Sequence, residues 1–191
     1  MKIFATTDTH FGHDEIIWMG AGRPTDYAEK ILNSIRKNSG DVLIHTGDFC
    51  FGEDDRWVRE YIKAAAGFKF KILVRGNHDK KSDSWYLERG FTMVCEAMLC
   101  KYFGYQILFS HMPAQKDNGF WTPHFPPNFN FHGHLHGDNH RRINNDPNVY
   151  DRNYYYDLAP DVHNYEIINI QKICQEKSVE NAASKKATDT Q

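Results

Sequence analysis

The sequence predicts an α/β domain, and three observations predict it. Short apolar runs rich in Ile, Val, Leu and Phe alternate with stretches of helical periodicity, as strands buried between crossover helices do. The chain has 191 residues, 40% of them hydrophobic and 25% charged, the size and composition of one folded domain rather than of a disordered, collagenous or coiled-coil chain. Polar residues able to bind a cation stand at the carboxyl end of one strand after another.

The elements follow in order. Strands are expected at Lys2–Thr6, Asp41–His45, Lys69–Val74, Gln106–Ser110 and Asn128–His132. Between them, Thr25–Asn38 places Ile31, Leu32 and Ile35 at helical spacing, and Asp54–Ala66 does the same with Trp57, Tyr61, Ile62 and Ala65, so both read as crossover helices. Phe91–Val94, Ala97–Phe103 and Gln106–Ser110 are separated by short polar or glycine breaks and read as an antiparallel meander. Tyr154–Leu158 and Tyr165–Ile170 read as two late strands. The domain is expected over residues 1–174. From Gln175 to Gln191 almost nothing is apolar, which predicts a frayed helix end and then a disordered tail.

Composition excludes several classes. Lys and Arg number 23 against 25 Asp and Glu, so no strong overall field draws the chain to long nucleic acid or an anionic membrane. No apolar stretch approaches the ~20 residues that span a bilayer, and Met1-Lys2-Ile3-Phe4 opens no signal-peptide pattern. A cytoplasmic protein is expected. Cys50, Cys95, Cys100 and Cys174 form no Cys-x-x-Cys pair, and read as small apolar core residues rather than thiolate ligands.

Histidine is the exception to this ordinary composition. Of 11 in the chain, five (His124, His132, His134, His136 and His140) fall within seventeen residues, and histidine is the commonest metal ligand. The five central strands end respectively in Asp8-Thr9-His10, Gly47-Asp48, Gly76-Asn77-His78-Asp79, His111 and Gly133-His134-Leu135-His136. Open α/β sheets gather ligands outside the carboxyl ends of their strands, so these separate segments can converge on one crevice. Asp8 and His10 are two apart, as are His134 and His136, and in extended chain each pair points one way and can hold one cation. The glycines before the ligands suit backbone that turns sharply and passes close to an ion. A set of Asp, Asn and His without Cys favours Mn²⁺, Fe, Zn²⁺, Ni²⁺ or Mg²⁺ over Cu(I) or an iron–sulfur cluster. So many ligands exceed one ion's needs, whereas two ions ~3.5–4 Å apart and sharing a carboxylate would use them all.

In this order the five elements resemble the calcineurin-like metallophosphoesterase superfamily, over residues 1 to about 170. With its compact length and the opening Thr7-Asp8-Thr9-His10-Phe11-Gly12-His13, the chain is similar to the small stand-alone phosphoesterases of bacteria and phages. The resemblance implies a four-layer α/β/β/α sandwich and two divalent ions, manganese first among the candidates. It implies that Asp8, His10, Asp48 and His136 hold one ion and that Asp48, Asn77, His111 and His134 hold the other, with Asp48 bridging. The hydroxide between the ions would be the nucleophile. His78 takes the place of the family's catalytic histidine, contacting phosphate and protonating the leaving oxygen, with Asp79 orienting it.

Two departures narrow the class. Phe49-Cys50-Phe51-Gly52 follows Gly47-Asp48 where the Ser/Thr protein phosphatases continue Asp-Arg-Gly, and Asp79 replaces their Glu. Arg75, directly before Gly76, is a second candidate for touching phosphate. The loop from Met112 to Asn128 joins two ligands and carries Trp121 and His124 in Phe120-Trp121-Thr122-Pro123-His124, aromatics able either to stack a nucleobase or to pack the loop onto the sheet. His13, three residues after His10, is placed to reach substrate or to cap the next helix. His45, His132 and His140 read as supports or surface, Arg141-Arg142 as a solvated face and His163 as surface. The expected activity is hydrolysis of a nucleotide-type phosphodiester. Phosphomonoester hydrolysis and a non-catalytic binding protein on the same fold are the alternatives.

Overall fold

Strand β1 (Ile3–Thr6) is buried along its whole length, as a strand covered on both sides must be. The computed structural model describes residues 1–18, 22–114, 126–137 and 153–178. Strands β2 (Gly40–His45), β3 (Phe68–Val74) and β4 (Met93–Cys95) run parallel to β1 in the order β4-β3-β2-β1, with the short β9 (Ile168–Asn169) antiparallel at the far edge. Each step from β1 to β4 goes the same way across the sheet. Right-handed crossovers then put every connecting helix on one face, and α1 (Tyr27–Arg36), α2 (Asp54–Ala64) and α3 (Asp83–Glu88) all lie there.

Alternate residues of the strands divide between two cores. Phe4, Leu43 and Leu73 face the helices, meeting Ile31, Leu32 and Ile35 of α1 and Val58 and Tyr61 of α2. Ile3, Ala5, Val42, Ile44 and Val74 face the other way, against Ile107, Phe109, Phe129 and Phe131 of the second sheet. Burying each of the large apolar side chains stabilises the fold by about 1.5–3 kcal/mol. That second sheet has the order β5-β6-β7-β8, from β5 (Ala97–Tyr102), β6 (Tyr105–Ser110), β7 (Phe129–His132) and β8 (Tyr155–Asp157). Residues 170–178 form a further helix, α4, whose Ile170 and Cys174 enter the core between the sheets. Two sheets flanked by helices are the fold class the resemblance implies. All four cysteines are free, with Cys50 and Cys174 buried as apolar residues. No helix among the described residues is long and apolar enough to cross a membrane.

One expectation is corrected. The meander is an antiparallel hairpin of β5 and β6 alone, because β4 pairs parallel with β3, Ile72 beside Met93. The cause is α3, a six-residue helix too short to leave a periodic signal, which carries the chain over and forces β4 to run parallel. Helix α4 runs past 174 to Ser178, where a helix end is expected, and the Ser178 hydroxyl meets Tyr105 Oη at 2.8 Å. The rest of the expected tail, residues 179–191, lies outside the described residues.

Candidate metal centre

The carboxyl ends of β1, β2, β3, β6 and β7 do converge. Asp8, His10 and His136 each bring one ligand atom within 4.8 Å of the others, and Asp48, His111 and His134 form a second such triad. Asn77 joins the second, its Oδ1 3.0 Å from His111 Nε2. The loops after β1 and β2 run side by side, Asp8 N–H donating to Gly47 O at 2.9 Å and His10 N–H to Asp48 O at 3.0 Å. Asp8 and His10 are therefore not in extended chain, but both have φ 45°. Asp48 (53°), His134 (70°) and His136 (49°) are left-handed as well, a conformation that costs ~1–2 kcal/mol per residue and that Asp and His tolerate better than most. Such strain is characteristic of functional sites. It also turns His134 and His136 to different triads, the division that the family resemblance implies and that their two-residue spacing in extended chain would not give.

Two glycines are required by close approach. A Cβ on Gly76 would collide with Oδ1 and the backbone nitrogen of Asp48, and one on Gly133 would collide with Asp8 Oδ2 and Thr7 Oγ1. The site is thus packed to the limit of backbone contact.

Its donors fit cations better than they fit one another. His10 Nε2 lies 3.7 Å from both Asp8 Oδ1 and Asp48 Oδ2, His136 Nε2 is 3.5 Å from Asp8 Oδ1, and His111 Nε2 is 3.4 Å from Asp48 Oδ2. Most of these separations are too long for good hydrogen bonds. Two ligands ~2.1 Å from a shared ion, subtending a near-tetrahedral angle, lie ~3.4 Å apart. Asp8 Oδ1 and both ring nitrogens of His10 are buried without a hydrogen-bond partner, a costly condition that a bound cation relieves. Burial acts to raise the Asp8 pKa, but its pairing with His10 and the charges of His111 and His136 prevail and hold the carboxyl far below the carboxylate range. Burial likewise acts to lower the pKa of His111, yet Asp48 and Asp8 lift it to about 9. Where the carboxylates hold a proton so firmly, a divalent ion can take its place.

Each ligand ring is aimed from behind. His111 donates from Nδ1 to Thr46 O at 2.9 Å, leaving Nε2 toward the site. His136 Nδ1 lies 3.0 Å from Asp161 Oδ2, a carboxylate–histidine arrangement that fixes the ring and its tautomer. His45 is a buried support, as expected. Its Nδ1 accepts from Gly47 N–H at 3.1 Å, so Nε2–H must donate to Thr9 Oγ1 at 2.9 Å, and Thr9 in turn donates to Phe49 O.

Burial depresses the His45 pKa from the ordinary 6.5 to about 3. In that interval the unfolded chain binds a proton that the folded chain refuses, so stability falls as pH falls. Metal-free protein should lose about 1.4 kcal/mol per pH unit more than His45→Gln between about pH 5.5 and 4, measured by urea unfolding. Equal slopes would show that His45 does not enter the fold neutral.

His78 stands at the mouth of the site, its side chain 39% exposed and Nε2 3.9 Å from Asp48 Oδ2, while its backbone N–H donates to Asp48 Oδ1 at 2.9 Å. Asp79 does not reach its ring. The Asp79 carboxylate accepts from the backbone N–H groups of Asp48, Phe49 and Gly76 at 2.7 to 3.0 Å, so it ties the loop after β3 to the loop carrying Asp48. Burial nevertheless raises its pKa. Arg75 is committed as well, to Asp83 and to Asp79 O. His13 stacks on Phe51 with ring centroids 4.2 Å apart and lies 5.5 Å from His10. Phe51, 43% exposed and 4.9 Å from the His78 ring, joins the rim although no reading of the sequence singled it out. Trp121, His124, His140, Arg141 and Arg142 lie outside the described residues. His163 is half-buried rather than surface, with Nε2 2.7 Å from Asp157 O. Sequence reasoning also missed Arg23 and Asp161, which stand 138 positions apart and carry no motif.

Two sheets with paired N/O triads at the carboxyl ends of their strands define a scaffold with two candidate metal sites. The chain belongs to the calcineurin-like phosphoesterase family, whose sequence profile matches residues 1–178. Over 179 residues it is 25% identical to the uncharacterized protein MJ1445 of Methanocaldococcus jannaschii, covering 90% of this chain and 89% of that one. Among solved structures it is similar to AQ665 of Aquifex aeolicus, a protein of unknown function, with a TM-score of 0.70 and 25% identity over 91% of this chain and 98% of that one. It shares its fold with a novel archaeal phosphodiesterase at a TM-score of 0.51 and 15% identity, over 89% and 99% of the two chains. Membership implies a metal-dependent phosphoester hydrolase, and the two triads are this chain's candidate metal sites.

Proposed function

We propose that this protein hydrolyses a nucleotide-type phosphodiester at a dinuclear centre held by Asp8, His10, Asp48, Asn77, His111, His134 and His136. The observation that carries the reading is the position of Asp48 Oδ2, 3.4 Å from His111 Nε2 of one triad and 3.7 Å from His10 Nε2 of the other, where one carboxylate can serve both. Two divalent ions there, Mn²⁺ foremost, would neutralise phosphate charge and activate water for attack on phosphorus. The chain's own contribution is positional. Backbone bonds from both loops set the ligands, and Asp79 holds the Asp48 loop against β3. His78, exposed at the mouth, protonates the leaving oxygen. A phosphomonoester presents a dianion that calls for an additional cation, and Arg75 is already bound to Asp83 and Asp79. That favours the singly charged diester. Exposed Phe51 beside His13 gives the rim an apolar face suited to a nucleoside.

The test is hydrolysis of bis-p-nitrophenyl phosphate and p-nitrophenyl phosphate by metal-free protein reconstituted with Mn²⁺, Ni²⁺, Zn²⁺ or Mg²⁺. The diester should be preferred, and chelation should abolish turnover. Preference for the monoester, or activity that survives chelation, would overturn the reading.

A further inference from the structure

Arg23 is the largest fully buried side chain of the described residues, with only 1% exposure. A buried guanidinium is rare unless its charge is paired. Its partner is Asp161, met by the two-pronged fork that suits arginine and carboxylate, with Nε to Oδ1 at 2.8 Å and Nη2 to Oδ2 at 2.7 Å. The third prong, Nη1, donates to the carbonyl of Thr9 at 3.2 Å, the residue between the ligands Asp8 and His10. Tyr27, whose ring lies 5.3 Å from the Arg23 guanidinium, donates from Oη to the carbonyl of His10 at 2.7 Å. On its other side Asp161 Oδ2 takes the Nδ1 proton of His136 at 3.0 Å, leaving Nε2 directed at Asp8 Oδ1.

We infer that Arg23 and Asp161 are positioning residues for the first triad alone. The inference rests on the reading that both triads hold ions. This ion pair touches the backbone between Asp8 and His10 and the ring of His136, which spans all three members of that triad. Among the described residues no buried ion pair backs the second triad: His111 leans on the neutral carbonyl of Thr46, and Asp79 holds the Asp48 loop through backbone amides rather than through a ligand ring. The two metal sites should therefore respond differently to loss of the pair. Removing the carboxylate behind a ligating histidine costs ~10–100-fold in metal affinity, and here that cost should fall on one ion of two.

The measurement is a Mn²⁺-binding isotherm of the full chain by titration calorimetry. Asp161→Asn keeps the shape but loses the charge. Arg23→Met/Asp161→Leu removes both charges together, so no unpaired buried ion is left to unfold the protein, and far-UV circular dichroism checks that it is folded. His136→Ala identifies the class of site that belongs to the first triad. Wild type should bind two equivalents. The double variant should bind one at wild-type affinity and the other ~10–100-fold more weakly, and the weakened class should be the one that His136→Ala loses. Two unchanged classes in the double variant, or equal weakening of both, would overturn the inference while leaving the dinuclear reading intact. Fewer than two equivalents in wild type would overturn that reading itself, and the inference with it.

Discussion

Asp48→Asn is expected to lower diester hydrolysis by about 10³-fold or more, since a metal pair supplies several kcal/mol of charge stabilisation at the transition state and each 1.36 kcal/mol is a factor of ten. The substitution keeps the size of the side chain and an oxygen able to accept from His78 N–H, a bond of 2.9 Å. What it removes is the negative charge between the triads. His10, His111 and His78 all lie within 3.9 Å of Asp48 Oδ2, so the lost charge is the one that faces all three rings. Burial acts to raise the Asp48 pKa, and the hydrogen bond and charge of His111 outweigh it, so the carboxyl is held below its ordinary value. Metal content should fall together with turnover. A variant that keeps both ions and full activity would show that Asp48 does not bridge.

His78→Ala should lower kcat by about 10²–10⁴-fold, the usual contribution of a positioned general acid. Its effect should depend on the leaving group. A p-nitrophenolate departs without a proton, whereas an alkoxide such as a nucleoside hydroxyl needs one. The loss should therefore be small on bis-p-nitrophenyl phosphate and large on a dinucleotide or an alkyl diester. Metal content should be unchanged, because His78 belongs to neither triad. Equal losses on both leaving groups would assign His78 to phosphate binding instead of proton transfer.

Much of this site is legible in the sequence because its ligands sit within a few residues of strand ends. Parallel strands bring those ends to one edge, so the order Asp8, Asp48, Asn77, His111, His134 already implies a cluster. The partition of ligands is legible only in part. The two-residue spacing suits Asp8 and His10, which share a triad, but left-handed backbone at His134 and His136 turns that pair to different triads, a division that only the family resemblance implies. No local pattern reports that torsion. Helix α3 escaped detection because six residues make less than two turns of periodicity, and β4 was then assigned to the wrong sheet. Asp79 shows a different failure. Its place in the motif suggests a partner for His78, but its oxygens are taken by three backbone amides, which have no sequence signature. Arg23 and Asp161 meet only in the folded chain, one before α1 and the other after β8, so neither attracts notice alone.

A dinuclear centre here means two ions in the two triads with Asp48 between them. Anomalous scattering from crystals grown with Mn²⁺ tests it most directly. Two peaks ~3.5–4 Å apart are expected, one against Asp8, His10 and His136 and the other against Asn77, His111 and His134, with the Asp48 carboxylate touching both. A single peak, or two peaks without Asp48 between them, would contradict it.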